Sequence, residues 1–353
     1  MLFKKDLLGN SKTGLKQWEA VQARRNAANV TEKLFANALR AEGLQVNQGL
    51  IPKDVYQDFD NVTVTRMRSD DGDTFLNDLM GLSNPISLGK LTHLFRQASD
   101  AGNAQSSMTG QIGAKMDQVE YKYDGSIVPV HDAGFYRNWR EFLAMQSEGF
   151  DALIDDQRET VATLRRHLVD NFLDGHRNPS GTLISVDNIS WGGVRHDSRV
   201  NQVDLGAGGI SFDFTDQTKT GAEIKAAFIQ LRDVLWITNN CEQDATYYMS
   251  RDIISNFERK FSTSYESRTI LDELATLQGV AAIKPTSKLV GNELMAFPLD
   301  QSKIRPLVGM GVNTVAMPRP VYNSNYEFVT WSAVGYEVRT DYFGKSCVMY
   351  AAG

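Results

Sequence analysis

From Phe150 onward the apolar residues Leu153, Ile154, Val161, Leu164, Leu168 and Phe172 recur at helical spacing. Positions i, i+3 and i+4 share one face of a helix, so the pattern predicts a long amphipathic helix. Asp155, Asp156, Arg158, Glu159, Arg165 and Arg166 make the other face charged, and Asp174-Gly175 ends the helix, since glycine accepts a left-handed stop. Upstream, Leu15, Trp18, Val21, Leu34, Phe35, Ala38 and Leu39 predict a helix over 13–41, with a break near 26–29. Residues 61–68 predict a strand, Asp70-Asp71-Gly72 a turn, and Phe75 to Leu82 a short helix.

Residues 86–128 hold two strand-like runs parted by Ser99-Asp100-Ala101-Gly102-Asn103, residues suited to a tight reversal. The returning arm, Met108 to Gly113, is small and polar. Such a hairpin lacks a core of its own and must borrow stability from another surface. Strands and turns are predicted over 176–221, then helices over 220–237, 251–261 (N-capped by Ser250) and 270–277, with a strand at 246–249. The inner face of the first comprises Ile224, Ala227, Phe228, Leu231, Val234 and Leu235. Residues 280–340 are mostly strand, ending in a period of two that puts Phe328, Thr330, Ser332, Val334, Tyr336 and Val338 on one face. Helices mixed with mainly antiparallel strands give an α+β class.

A chain of 353 residues exceeds the usual single core, so two lobes are expected; 42% hydrophobic and 23% charged residues suit a globular protein. No apolar run approaches the roughly 20 residues that span a bilayer, and the start lacks a signal-peptide segment, so synthesis and use in the cytoplasm are expected. Cys241 and Cys347, without CxxC spacing, read as small buried apolar residues outside any zinc site or disulfide framework. The formal charge of −6 is uneven. Residues 1–40 carry eight Lys or Arg against three acids, leaving 29 basic and 40 acidic groups, a balance of −11, in the rest. A basic arm thus precedes an acidic body, and it suits an acidic neighbour or nucleic acid. Both chain ends are expected to be held within a large assembly, with no N-terminal propeptide removed.

The segment from Gln118 to Phe142 runs through Tyr121-Lys122-Tyr123, Val128-Pro129-Val130 and Phe135-Tyr136-Arg137-Asn138-Trp139, and the long helix with its Asp-Gly stop follows. In this order of parts the chain resembles the major capsid proteins of tailed bacteriophages, which share the Hong Kong 97-type shell fold with encapsulins. The resemblance covers about residues 86–353. It implies an N-terminal arm (1–60), a strand-turn-helix part of a peripheral lobe (61–85), an extended β-hairpin loop (86–128), a peripheral lobe with the spine helix (129–221), an apical lobe (222–322) and a C-terminal return to the peripheral lobe (323–353). It also implies a noncatalytic subunit whose hexamers and pentamers close an icosahedral shell around double-stranded DNA, in a virion made in a bacterial host. Its implied partners are itself, a portal, a scaffolding protein and the packaged DNA, with no membrane. An encapsulin, enclosing cargo enzymes, is the alternative; the basic arm and long loop favour the virus.

The residues offer little chemistry. Gly344-Lys345-Ser346 lacks the upstream glycine of a phosphate loop, where Arg339 stands, and Gly206 to Gly209 reads as a flexible turn. His93, His131, His167, His176 and His196 show no metal spacing; His167 and Asp170 suggest only a helix-surface hydrogen bond. Asp70, Asp71 and Asp73 lack the glutamate of a calcium loop, and the adjacent Asp155 and Asp156 diverge on their helix. No catalytic, cofactor or metal residue is therefore assigned, and a two-domain hydrolase is disfavoured for want of a nucleophile, base and orienter. Trp139 and Phe142 read as core residues. The assigned candidates are cations: Arg66, Arg68, Lys90, Arg96, Lys115 and Lys122 for contacts between subunits, and Lys12, Lys16, Arg24 and Arg25 for an arm on a neighbour or on DNA at the inner wall.

Overall fold

The structure is a computed structural model that describes residues 72–353 except 103, 110, 112, 114, 115, 148–151, 207 and 263–267, together with scattered positions between 16 and 34. The chain divides into two units, 1–64 and 65–353. In the first, the described positions are all helical, Asn26 and Ala27 included. The extreme N-terminus, the strand predicted over 61–68 and the acidic Asp70 and Asp71 lie outside the described residues.

The second unit is organised by a five-stranded mixed sheet in the order β7-β13-β10-β8-β9. Its strands are β7 (Asn201–Asp204), β8 (Ala245–Ser250), β9 (Val280–Thr286), β10 (Glu293–Phe297) and β13 (Met349–Ala352). Successive side chains of a strand point to opposite faces. Tyr248, Met295, Phe297 and Tyr350 accordingly enter one core, whereas Tyr247, Met249, Leu294, Ala296, Met349 and Ala351 enter another.

On the second face lie α4 (Gly221–Asp233), α5 (Arg251–Phe257) and α6 (Ile270–Ala275). Thr220 and Glu223 form a reciprocal capping box at the start of α4, which satisfies two backbone N–H groups that a helix end leaves free. Ile224, Ala227, Phe228, Leu231 and Leu235 are buried as their spacing predicts, while Val234 is only half-buried. The helix runs into a π-helical turn, Val234–Thr238, and Ser250 caps α5 by accepting from the Ile253 N–H at 3.3 Å.

The other face packs on α1 (Asp73–Met80), α3 (Ala152–Asp174) and part of a four-stranded sheet. That sheet has the order β1-β11-β12-β4, with β1 (Asn84–Pro85), β4 (Val130–Arg137), β11 (Ile304–Ala316) and β12 (Tyr326–Val338). Leu164, Leu168 and Phe172 of the predicted stripe are buried, and Val169 and Leu173 join them. Ile154, expected on the stripe, is 52% exposed, because the first turns of α3 extend beyond this core. There Asp156 accepts two hydrogen bonds from Arg137 of β4, one of them 2.8 Å long. Gly175 takes φ +86° and ends α3, as expected; a side chain there would also meet the Trp191 carbonyl. Trp139 and Phe142 on α2 (Trp139–Ser147) are half-buried, outside the main cores, with Phe142 against the Tyr326 ring.

Two expectations need correction. Cys241 and Cys347 are buried but bonded to each other, with Cα atoms 5.8 Å apart, joining the turn before β8 to the approach to β13. Spacing along the chain cannot register a contact across 106 positions. Asp170 does not bond His167; it pairs with Lys288 at 2.7 Å, and the His167 ring instead lies edge-on to His131.

His131 is buried between β4 and α3, its Nε2 3.1 Å from the Val334 carbonyl and its Nδ1 3.4 Å from the Asn171 amide. His176, with no exposed surface, stacks on Tyr336 and lies 5.4 Å from the His131 ring, centroid to centroid. Burial pushes the His131 imidazolium from 6.5 down to about 4 and holds His176 well below its ordinary value.

Two predictions follow from these contacts. Because the disulfide closes a long loop, Cys241→Ser with Cys347→Ser should lower unfolding free energy by about 2–4 kcal/mol, read by urea denaturation of unassembled subunits without reductant. Wild type with reductant should fall equally; no change in either would refute the bond. Both histidines are favoured neutral when folded. Their stabilising contribution is therefore complete above the unfolded pKa near 6.5 and is lost as pH falls towards 4, by about 3 kcal/mol for His131 alone. Urea midpoints between pH 7.5 and 4.5 should drop with proton uptake on unfolding, and a flat profile would contradict the burial.

Candidate functional site

Strands β2 (Thr92–Ala98) and β3 (Tyr121–Ile127) form an antiparallel ribbon, paired from Thr92 with Ile127 to Ala98 with Tyr121. The same register continues past its end: Ser99 N–H donates to the Glu120 carbonyl at 2.9 Å, and Gly102 N–H to the Asp117 carboxylate at 3.3 Å. Residues 99–102 therefore run alongside 117–120 and do not themselves reverse the chain, contrary to the expectation; the reversal lies between Gly102 and Asp117. Turn-forming residue types tolerate a reversal without requiring one.

The ribbon's base is tied to the body by a buried acid. Glu337 of β12 has no exposed surface. Its Oε2 lies 2.6 Å from His93 Nδ1, and its Oε1 accepts from Arg305 Nε at 2.9 Å and lies 2.8 Å from Arg305 Nη2. Burying a carboxylate is costly unless it is paired and hydrogen-bonded, so this node fixes three strands at once. Alongside it Gln97 donates to Thr340 Oγ1 at 2.6 Å, and Ser126 Oγ donates to the Tyr336 carbonyl. Gly335 lets the strands approach: a Cβ there would stand 2.1 Å from the Ile127 carbonyl oxygen.

On the other edge of the base, Arg199 donates to the Gly125 and Ser190 carbonyls and to both oxygens of Asp197. Burial pushes the Asp197 carboxyl up, but Arg199 overrides it and holds the group below its ordinary range. Beyond the node, Tyr342 donates to Glu120 at 2.6 Å, and Lys122 Nζ sits 4.0 Å from the Tyr342 ring centre.

The ribbon itself exposes apolar surface. Leu91, Leu94, Tyr121 and Tyr123 are exposed, and Met108 and Met116 further out are almost wholly so. A second exposed group, Val312, Val315, Met317, Val321 and Tyr322, lies along β11 and the β11–β12 turn. Arg319 braces that turn by donating to the Tyr322 and Ser324 carbonyls. Large apolar side chains exposed in groups mark contact sites more often than catalytic ones.

Of the cations named from sequence, Arg66, Arg68, Lys115, Lys12 and Arg25 lie outside the described residues. Lys16 and Arg24 are exposed on helical positions; Lys90 is exposed in the turn before β2. Arg96 and Lys122 are exposed on neighbouring strands of the ribbon, Arg96 beside Arg339 and Lys122 over Tyr342. Glu337 and Arg199 were not found from sequence. The one available signal for Glu337 was an acid inside an otherwise apolar strand, Val334 to Val338. Among the described residues no group of three or more His, Cys, Asp or Glu could hold a metal ion, and no helix is long and apolar enough to cross a membrane.

Comparison with known proteins bears on this arrangement. The model of a family of unknown function, DUF6260, matches residues 42–351. No curated protein matches the sequence. Among solved structures, the capsid of Myoviridae phage XM1 superposes with a TM-score of 0.63 at 15% identity, covering 87% of this chain and all of that one. A chain of Mycobacterium phage Bobi gives 0.58 at 7% identity over 88% of this chain and all of its own, and one of Mycobacterium phage Ogopogo 0.55 at 12% over 86% and 99%. The fold is the α+β Hong Kong 97-type fold that the order of parts implied.

Removing Glu337 while leaving Arg305 and His93 in place should be costly. Glu337→Ala is expected to lower unfolding free energy by about 3–5 kcal/mol, because an uncompensated buried charge remains. Hydrogen exchange should show protection lost first at β2 and β3. A loss below about 1 kcal/mol, or unchanged exchange in the ribbon, would show that the node does not hold it.

Proposed function

The chain belongs to the DUF6260 family and has the Hong Kong 97-type fold, and on that basis we propose that it is the major capsid protein of a tailed phage or prophage. In this reading it is a noncatalytic subunit that self-assembles into an icosahedral shell around double-stranded DNA. The observation that carries the reading is the ribbon: rigidly tied at its base through Glu337, without a core of its own, and lined with exposed apolar residues. A two-stranded ribbon of this kind is marginal alone and gains stability by lying on another surface. Another copy of the same chain supplies that surface in a closed assembly, where many weak interfaces act together.

The lobes are assigned within this reading. The core on the helical face of the five-stranded sheet belongs to the apical lobe, and the core beneath α3 to the peripheral lobe with its spine helix. Arg66, Arg68, Lys90, Arg96, Lys115 and Lys122 are assigned to contacts between copies. Lys12, Lys16, Arg24 and Arg25 lie on an acidic neighbour or on packaged DNA. A portal and a scaffolding protein complete the partners, and the mature location is the virion.

The purified full-length chain should form closed shells in negative-stain images, and particles from cells that package a genome should protect DNA from nuclease. Shells that protect no DNA and hold a protein cargo would replace this reading with a nanocompartment. A dispersed species at every concentration would end both.

A further inference from the structure

A recess of about 360 Å3 opens where β2 meets the turn after the π-helical turn and the segment that follows β12. Four cations line it, Arg96, Lys303, Arg339 and Lys345, against one acid, Asp341. The acid is already engaged: its Oδ1 accepts the N–H groups of Phe343 at 2.9 Å and Lys345 at 2.7 Å. Among the described residues Lys345 Nζ donates to a neutral acceptor, the Thr238 carbonyl, at 3.0 Å. Arg339 faces the Phe95 ring and stays 3.9 Å from Glu337, whose oxygens are taken by Arg305 and His93. Among the described residues the side chains of Arg96 and Lys303 make no hydrogen bond and no ion pair within 4 Å, although Asp300 lies within electrostatic reach of Lys303.

Cations that outnumber their counter-charges in one recess repel one another, and an incoming anion relieves that repulsion. We propose that this recess is a socket for a carboxylate side chain of a second copy of the chain, a contact that rests on the shell-forming reading above. Charge complementarity selects this occupant. Outside residues 1–40 the chain has 40 acidic against 29 basic groups, so every copy offers surplus carboxylates to its neighbours. Nucleic acid is the less suited anion, since duplex DNA presents a row of phosphates and is met by a basic stripe. Here the cations converge on one recess that has Asp341 in its wall and Glu337 behind Arg339. Arg96 is exposed while its neighbour Phe95 is buried, as alternation along a strand requires, so its charge stays at the surface. Closing the socket would fasten the ribbon's base to a neighbour by charge, while its outer part is held by apolar contact.

The test is a charge reversal, Arg96→Glu with Lys303→Glu, in the full-length chain, followed by sedimentation velocity over a concentration and salt series. Neither side chain bonds within the described subunit, so circular dichroism and thermal midpoint should match wild type. Self-association should need a concentration at least about tenfold higher, since reversing a paired interfacial charge weakens complexes strongly. The defect should narrow as salt rises, and the conservative pair Arg96→Lys with Lys303→Arg should associate like wild type. Self-association of the reversed variant equal to wild type overturns the socket, whatever particle forms. Normal association with loss of retained DNA alone overturns it in favour of a phosphate site. Wild type that associates into open oligomers, with the reversed variant still impaired, overturns the shell reading and leaves the socket standing.

Discussion

The three central strands of the five-stranded sheet, β13, β10 and β8, are buried on both faces, and that two-sided burial is the constraint to which the rest of the second unit conforms. Every residue of β8 from Ala245 to Ser250 is buried, and its adjacent tyrosines, 247 and 248, serve different cores. A slip of one residue in its pairing would exchange the two sets of side chains. The register is therefore fixed from both sides, and the helices α4 to α6 on one face and α1 with α3 on the other are held in relation to the same strands. The disulfide between Cys241 and Cys347 joins the approaches to two strands of that sheet, β8 and β13.

Against this apolar framework the Glu337 node is a local exception. Replacing a buried ion pair by well-packed apolar residues is often neutral or stabilising, so such a pair is a poor source of stability. What it supplies is direction. His93 on β2, Arg305 on β11 and Glu337 on β12 satisfy one another, and that contact fixes the base of the ribbon against the two long strands. The cost is borne by a core large enough to absorb it, and the benefit appears at a surface that makes no contribution to that core.

This division accords with assembly more than with catalysis. The buried tyrosines and histidines owe their shifted acidity to desolvation first, as at Tyr336 and His176. Perturbed groups of this kind arise in structural cores as well as in active sites, and geometry decides between the two. The exposed groups that could act on a partner are instead apolar side chains along the ribbon and the β11–β12 turn, and cations gathered beside β2.

The sequence by itself determined the local elements. Period and punctuation located the long helix α3 and its Gly175 stop, the inner face of α4, and the Ser250 cap, because each depends on residues within a few positions of one another. The order of those parts was also enough to indicate the fold. Only tertiary structure decided what lies opposite what: the bond between Cys241 and Cys347, the pairing of Asp170 with Lys288 in place of His167, and the continuation of the ribbon as far as Gly102. Glu337 illustrates the reason. Its chemistry is set by His93 and Arg305, residues 244 and 32 positions away, and a periodic pattern carries no information about partners that only folding brings together.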